Sequence, residues 1–184
     1  MRIDNEFTVA QPLEVVWAAF QDVPSVSACL PGAQLTDDLG DGRFAGRMSV
    51  RLGPIGLGLE GEARVEPDPE EHAATITGQG VDKKGGSRGQ VTVRYVLTAV
   101  DAASTNVSIA SEISLAGPAA QFGRTGLLQE VSRRLISDFA RCLEAKLAAA
   151  TPEEAAAIRS GEVGATSLLA SSLGSTIKRS IRRG

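Results

Sequence analysis

Residues 127–147 read LLQEVSRRLISDFARCLEAKL, and the spacing in this stretch decides the fold. Leu128, Val131, Leu135, Phe139, Cys142 and Leu143 recur at helical intervals, while Arg133, Arg134, Asp138, Arg141 and Glu144 occupy most of the remaining surface. The pattern is one long helix with a single apolar stripe. Strand signals dominate ahead of it, and a sheet that must bury one such helix tends to wrap around it.

Working back from the helix, Asn106 to Leu115 alternates on Val107, Ile109, Ile113 and Leu115, and Gln90 to Val100 on Val91, Val93, Tyr95 and Leu97. His72 to Gly78 is a weaker strand. Leu57 to Val65 sets Leu57, Leu59, Ala63 and Val65 against Glu60, Glu62 and Arg64, and Arg43 to Leu52 aligns Phe44, Met48, Val50 and Leu52. Gly40-Asp41-Gly42, Pro67-Asp68-Pro69 and Asp101-Ala102-Ala103-Ser104 sit where hairpin turns belong. At the start, Ile3, Asn5, Phe7 and Val9 share one face of a strand. Gln11-Pro12 then opens a helix through Val15, Val16, Ala19 and Phe20, and a second short helix follows Asp22-Val23-Pro24-Ser25 to about Cys29. The expected architecture is α+β: a curved antiparallel sheet of about seven strands around the C-terminal helix, with two short helices after strand 1. Residues 1–150 form the domain, 151–166 read as a flexible linker and 167–184 as a separate tail.

Composition narrows the function classes. The 184 residues carry a formal charge of −3 with no basic block before position 150, which argues against a nucleic-acid partner. Cys29 and Cys142 lie far apart in apolar company and read as buried reduced thiols of a cytoplasmic protein. MRIDNEFTV reads directly as a strand, without a signal peptide, and no segment approaches transmembrane length. The single histidine, His72, follows Glu70-Glu71 in a charged turn, badly placed for a nucleophile–histidine relay. No His/Cys/Asp/Glu cluster has metal-ligand spacing, so neither a catalytic nor a metal site is expected.

Only 4% of residues are aromatic, against 20 glycines. Large rings usually fill the space between a curved sheet and a helix; here the inward faces are mostly Val, Ile, Leu, Ala and Gly. Two readings follow: an elongated apolar cavity, or a helix packed tightly down. The cavity reading assigns its lining to Leu52, Leu57, Leu59, Val93, Tyr95, Ile113, Phe122, Leu128, Val131, Leu135 and Phe139. Tyr95, Ser111 and Thr75 are isolated polar groups able to orient a ligand oxygen there.

Four motifs, in order, resemble the carbon monoxide dehydrogenase G-subunit (CoxG) family of the START-like, helix-grip superfamily. They are Asp22-Val23-Pro24 through Cys29-Leu30-Pro31-Gly32-Ala33; Leu52-Gly53-Pro54-Ile55 into Leu59-Glu60-Gly61; Gly85-Gly86-Ser87-Arg88-Gly89; and Gly117-Pro118-Ala119-Ala120-Gln121-Phe122-Gly123-Arg124. The resemblance spans roughly residues 1 to 150. It implies a non-catalytic accessory protein of a molybdenum hydroxylase, membrane association through the C-terminal tail, and an isoprenoid quinone such as menaquinone carried in the cavity, with no covalently bound cofactor.

Three segments have competing readings. Glycines flanking Phe122 disfavour a regular helix by about 1 kcal/mol each, so Phe122 is either a mobile lid over one end of the cavity or a core residue in a plain helical turn. Asp82-Lys83-Lys84-Gly85-Gly86-Ser87-Arg88-Gly89 lacks the ending of a P-loop and reads as a strand connection. In the tail, Leu169, Leu173, Ile177 and Ile181 form a narrow apolar stripe opposed by Lys178, Arg179, Arg182 and Arg183. Such a basic amphipathic segment suits a membrane interface, where four cations contribute roughly 4 kcal/mol at most; the bland reading is a solubilising tail. Residues 151–184 carry +2, leaving −5 on the rest.

The expected function is therefore a quinone carrier working between the inner face of the cell membrane and a cytoplasmic dehydrogenase, coupling its oxidation to the respiratory chain. The rivals are a membrane tether with a solid interior and a START-like cyclase or hydrolase.

Overall fold

The computed structural model describes residues 1–52, 55–124 and 126–160. In chain order these form β1 (Arg2–Val9), α1 (Leu13–Gln21), α2 (Val23–Ser27), β2 (Ala33–Gly40), β3 (Arg43–Leu52), β4 (Ile55–Asp68), β5 (Ala73–Val81), β6 (Arg88–Asp101), β7 (Ser104–Ala116), a 3-10 helix (Gly117–Arg124), α3 (Leu127–Ala148) and α4 (Pro152–Ala157). All seven strands join one antiparallel sheet in the order β1-β7-β6-β5-β4-β3-β2. The expected helix-grip architecture is the observed one.

Alternation sets which face is buried. Along β6 and β7 the inward set is Gly89, Val91, Val93, Tyr95 and Leu97 beside Val107, Ile109, Ser111, Ile113 and Leu115, while Gln90, Thr92, Arg94 and Glu112 face water. The curvature has a local cause. Gly46 pairs with Gly61, Gly61 with Gly80 and Gly80 with Gly89, so four adjacent strands present bare backbone in one transverse row. A Cβ on Gly61 would overlap the Gln79 carbonyl oxygen; the strands bend together here because no side chain holds them apart.

Helix ends obey local chemistry. The Asp22 carboxylate accepts the Ser25 amide at 3.1 Å to start α2, and Thr151 Oγ1 accepts the Glu154 amide at 3.2 Å to start α4, with Pro152 in the first turn. Part of the expected linker is thus built: Ile158 packs on the core and the Ser160 amide donates to the Ala28 carbonyl. Gly126, in the left-handed region at φ 69°, separates α3 from the 3-10 helix. The looser geometry expected around Phe122 is the 3-10 helix itself.

One expectation is overturned. Cys29 and Cys142 are not reduced thiols but a disulfide, with Cα atoms 5.3 Å apart. Distance in sequence misled: α2 ends against the apolar stripe of α3, and both sulfurs meet at full burial. Closing a loop of 113 residues stabilises the fold by about 5 kcal/mol in the chain-entropy treatment.

The connection between β5 and β6 is neither a phosphate cradle nor a loose loop. Asp82 Oδ1 accepts the amides of Lys84 at 3.0 Å and Gly85 at 2.8 Å, and Ser87 Oγ accepts the Ala119 amide at 3.1 Å, fastening the hairpin to the 3-10 helix. The Gly85 amide, chiefly, holds the Asp82 carboxyl below the usual carboxylate range, against the opposing effect of burial. Lys83 is occupied by Glu60 at 3.1 Å, and Arg47 flanks the same carboxylate at 3.4 Å.

Candidate functional site

The concave face is packed at its two ends and loose between them. At the α1–α2 end, Val9, Val16, Phe20, Ala74, Tyr95, Leu97, Val107, Phe139, Leu143 and the disulfide form one cluster. Most of the chain's few rings collect there: Phe20 lies 4.7 Å from Tyr95 and 6.1 Å from Phe139, and Phe7 lies 6.0 Å from Phe139, between ring centroids. Trp17 meets His72 edge-on just outside. At the opposite end, Ile3, Leu52, Leu57, Ala119 and Leu128 form a second cluster, with Val50, Leu59, Ile113, Leu115, Phe122, Leu127 and Val131 against it.

Helix α3 comes close to the sheet backbone at β1 and at β3. In the sheet these flank β4, β5 and β6, so the helix lies across the trough like a bar resting on its sides. Beneath it Met48, Ala63, Gly78, Val91 and Val93 point inward yet stay half-exposed, as does Leu135 on α3, and none joins either cluster. The rows here are short in side chain: Ala63 pairs with Gly78 and Gly78 with Val91, beside the bare glycine row. An aliphatic strip with residual exposure under a bridging helix is the part of the molecule suited to a flat or elongated apolar ligand.

The lining residues expected from sequence are distributed across this frame. Leu52, Leu57, Leu59, Ile113, Phe122, Leu128 and Val131 gather in the second cluster, Tyr95 and Phe139 in the first, and Val93 and Leu135 between them. Sequence reasoning missed Met48 and Val91 as open-strip residues; alternation places both on the inward face, but only the glycine row explains why they stay uncovered. Leu169, Leu173, Ile177, Lys178, Arg179, Ile181, Arg182 and Arg183 lie outside the described residues.

Acid–base machinery is not assembled on the concave face. Burial pushes the Tyr95 hydroxyl up to about 12, a hydrogen bond with Gln21 only partly opposing it, so the phenol stays neutral at any physiological pH. His72 bonds Glu14 at 3.2 Å on the outside of α1. Lys146 donates to Ser25 Oγ at 3.2 Å in the α2–α3 seam, its pKa lowered mainly by desolvation and next by Arg159. Asn5 Nδ2 donates to Ser132 Oγ at 2.9 Å, tying β1 to α3. Among the described residues no group of three or more His, Cys, Asp or Glu side chains is arranged for a metal, and no helix is long and apolar enough to cross a membrane. Two open hollows of about 390 and 360 Å³ lie on the outer face, edged by Arg43, Glu62, Arg64, Gln90, Thr92 and Glu112. Their mixed charge suits neither an isoprenoid chain nor a single ionic ligand.

Comparison with solved structures agrees on the fold. A conserved protein from Geobacillus kaustophilus superposes with a TM-score of 0.68 at 18% identity, covering 80% of this chain and 95% of that one. The Zhui aromatase/cyclase from Streptomyces sp. R1128 gives 0.57 at 14% identity, over 80% and 93% of the two chains. A START superfamily protein from Mycobacterium smegmatis gives 0.56 at 14%, over 79% and 96%. At these identities the likeness concerns architecture alone. No curated protein matches the sequence. The family model of the carbon monoxide dehydrogenase G-subunit (CoxG) matches residues 6–148, which takes in every strand but the first few residues of β1, the disulfide and α3. The chain therefore belongs to the CoxG family of carbon monoxide dehydrogenase.

Proposed function

We propose that this protein carries an isoprenoid quinone, menaquinone or a close relative, between the membrane and a carbon monoxide dehydrogenase-type molybdenum hydroxylase. The observation that carries the reading is the half-exposed aliphatic strip of Met48, Val91, Val93 and Leu135 beneath α3. Leaving apolar side chains uncovered inside a fold forgoes burial worth about 25 cal/mol per Å². A ligand with an apolar body recovers that stabilisation, and the family's link to a dehydrogenase supplies a reason to move a redox-active lipid. The protein's part is to exclude water from the isoprenoid chain and keep the ring near an opening; the redox chemistry belongs to the quinone and the partner enzyme.

The reading places the protein at the inner face of the cell membrane, recruited through residues 167–184. A disulfide is uncommon in a reducing compartment, but Cys29 and Cys142 are both at 0% exposure, and exchange with a small thiol requires access to a sulfur. A cyclase reading has the weaker support, since the concave face brings together no acid and base.

Leu135→Trp tests the proposal. The indole enters the strip, so the folded variant takes up less short-chain menaquinone than the parent in a fluorescence-quenching titration. Equal uptake by the two would remove the strip from the site.

A further inference from the structure

Ser111 is exceptional among the buried polar groups. The described residues contain five buried polar or charged side chains: Asp82, Ser87, Thr105, Ser111 and Lys146. Four have partners. Asp82 accepts loop amides, Ser87 accepts the Ala119 amide, Thr105 Oγ1 donates to the Gln11 carbonyl at 2.8 Å, and Lys146 donates to Ser25. Ser111, at 8% exposure, has no side-chain hydrogen bond to any described residue. Yet no fully enclosed side-chain nitrogen or oxygen among the described residues lacks a partner, so the Ser111 hydroxyl is not sealed in. It opens into residual space.

That space is the strip already described. Ser111 shares its inward face with Val107, Ile109 and Ile113, and its cross-strand neighbours are Val93 on β6 and Ile3 on β1. Ile3 belongs to the packed end, while Val93 is half-exposed. The other polar groups named from sequence are accounted for: Tyr95 is engaged by Gln21, and Thr75 has the opposite parity on β5 from inward Ala74 and Ile76. A buried hydroxyl without a partner costs about 1–3 kcal/mol, and the fold retains one at the middle of an apolar trough.

We propose that Ser111 is the polar anchor of the ligand site, donating its hydroxyl proton to a ring carbonyl oxygen of the bound quinone and fixing the ring at the level of Val93. The inference rests on the carrier reading and adds to it a position and a polarity. The ligand class is an apolar molecule with at least one hydrogen-bond acceptor on a flat head, rather than a plain hydrocarbon or fatty acyl chain.

The test uses the full chain with two probes of matched isoprenoid length, a short-chain menaquinone and the corresponding hydrocarbon without carbonyl groups. Ser111→Ala removes the donor. It is expected to weaken quinone binding about five-fold, the loss of one neutral hydrogen bond, to leave hydrocarbon binding unchanged, and not to lower the thermal midpoint of the ligand-free protein. Ser111→Thr restores quinone binding, and the carbonyl stretching band of bound quinone lies lower in the parent and the Thr variant than in the Ala variant. Quinone binding by Ser111→Ala equal to the parent's overturns the anchor while leaving the carrier intact. A parent that binds neither probe overturns both. A fall in stability accompanied by equal loss of both probes assigns Ser111 a purely structural role and likewise overturns the anchor.

Discussion

Leucine truncation distinguishes an open strip from a packed core without any ligand present. Leu52 is 1% exposed within the second cluster, so Leu52→Ala removes a fully buried side chain and leaves a cavity. The cost expected of such a site is about 3–4 kcal/mol. Leu135 sits on the same apolar stripe of α3 as Leu128 but is half-exposed and joins neither cluster. Truncating it forfeits about half of a leucine burial term and opens no new enclosed void, for about 1 kcal/mol. For a protein of this length each kcal/mol moves the midpoint by roughly 2–4 °C. Differential scanning calorimetry of the ligand-free variants should therefore show a fall of about 10 °C for Leu52→Ala and about 3 °C for Leu135→Ala. Equal, large falls would mean that Leu135 is packed and that no strip lies open beneath α3.

Other consequences follow from particular contacts. Gly61→Ala, which drives a Cβ into the Gln79 carbonyl, should lower stability by about 1–3 kcal/mol, whereas Gly58→Ala, whose Cβ meets nothing within 4 Å, should stay within about 0.5 kcal/mol of the parent; urea titrations compare them, and equal effects would remove the glycine row as the cause of curvature. The denatured, unreduced protein should label no thiol, and two labelled thiols would contradict the Cys29–Cys142 bond. Tyr95 is the chain's single tyrosine, so its absorbance titration is unambiguous. Its folded pKa, about 12, lies above the ordinary value of 10.0, so its contribution is intact below the ordinary value and is lost as pH rises through the folded one. Ionisation near the ordinary value in the native protein would contradict its burial. Removing residues 167–184 should leave the melting curve unchanged and abolish flotation with anionic vesicles; unchanged flotation would remove the tail from membrane recruitment.

What the sequence made readable was whatever repeats with a period. The stripe of α3 and the alternation of β3 to β7 give the grip and assign inward faces correctly, because both are properties of neighbours in the chain. Properties of neighbours in space were harder. The four glycines of the bending row lie on four strands, and nothing in any one strand announces that they align. Cys29 and Cys142 read as separate thiols because the α2–α3 contact that joins them is invisible in either segment. The low aromatic content suggested a hollow interior, but the rings are unevenly distributed: Phe7, Phe20, Tyr95 and Phe139 fill one end and leave the middle to Val93 and Leu135. Ser111 was visible only as an isolated polar residue on a strand. Its significance comes from elimination, once Tyr95 and Thr105 are seen to have partners and Ser111 is not.

Whether the trough holds a lipid is settled most directly by what leaves the cell with the protein. The full chain, purified without detergent from its host, is extracted with organic solvent and the extract analysed by mass spectrometry. A carrier should yield an isoprenoid quinone in an amount approaching one per protein molecule, falling sharply in Leu135→Trp. An extract of properly folded parent protein with no quinone above the level carried by an unrelated soluble protein would refute carriage, leaving a membrane-recruitment module in its place.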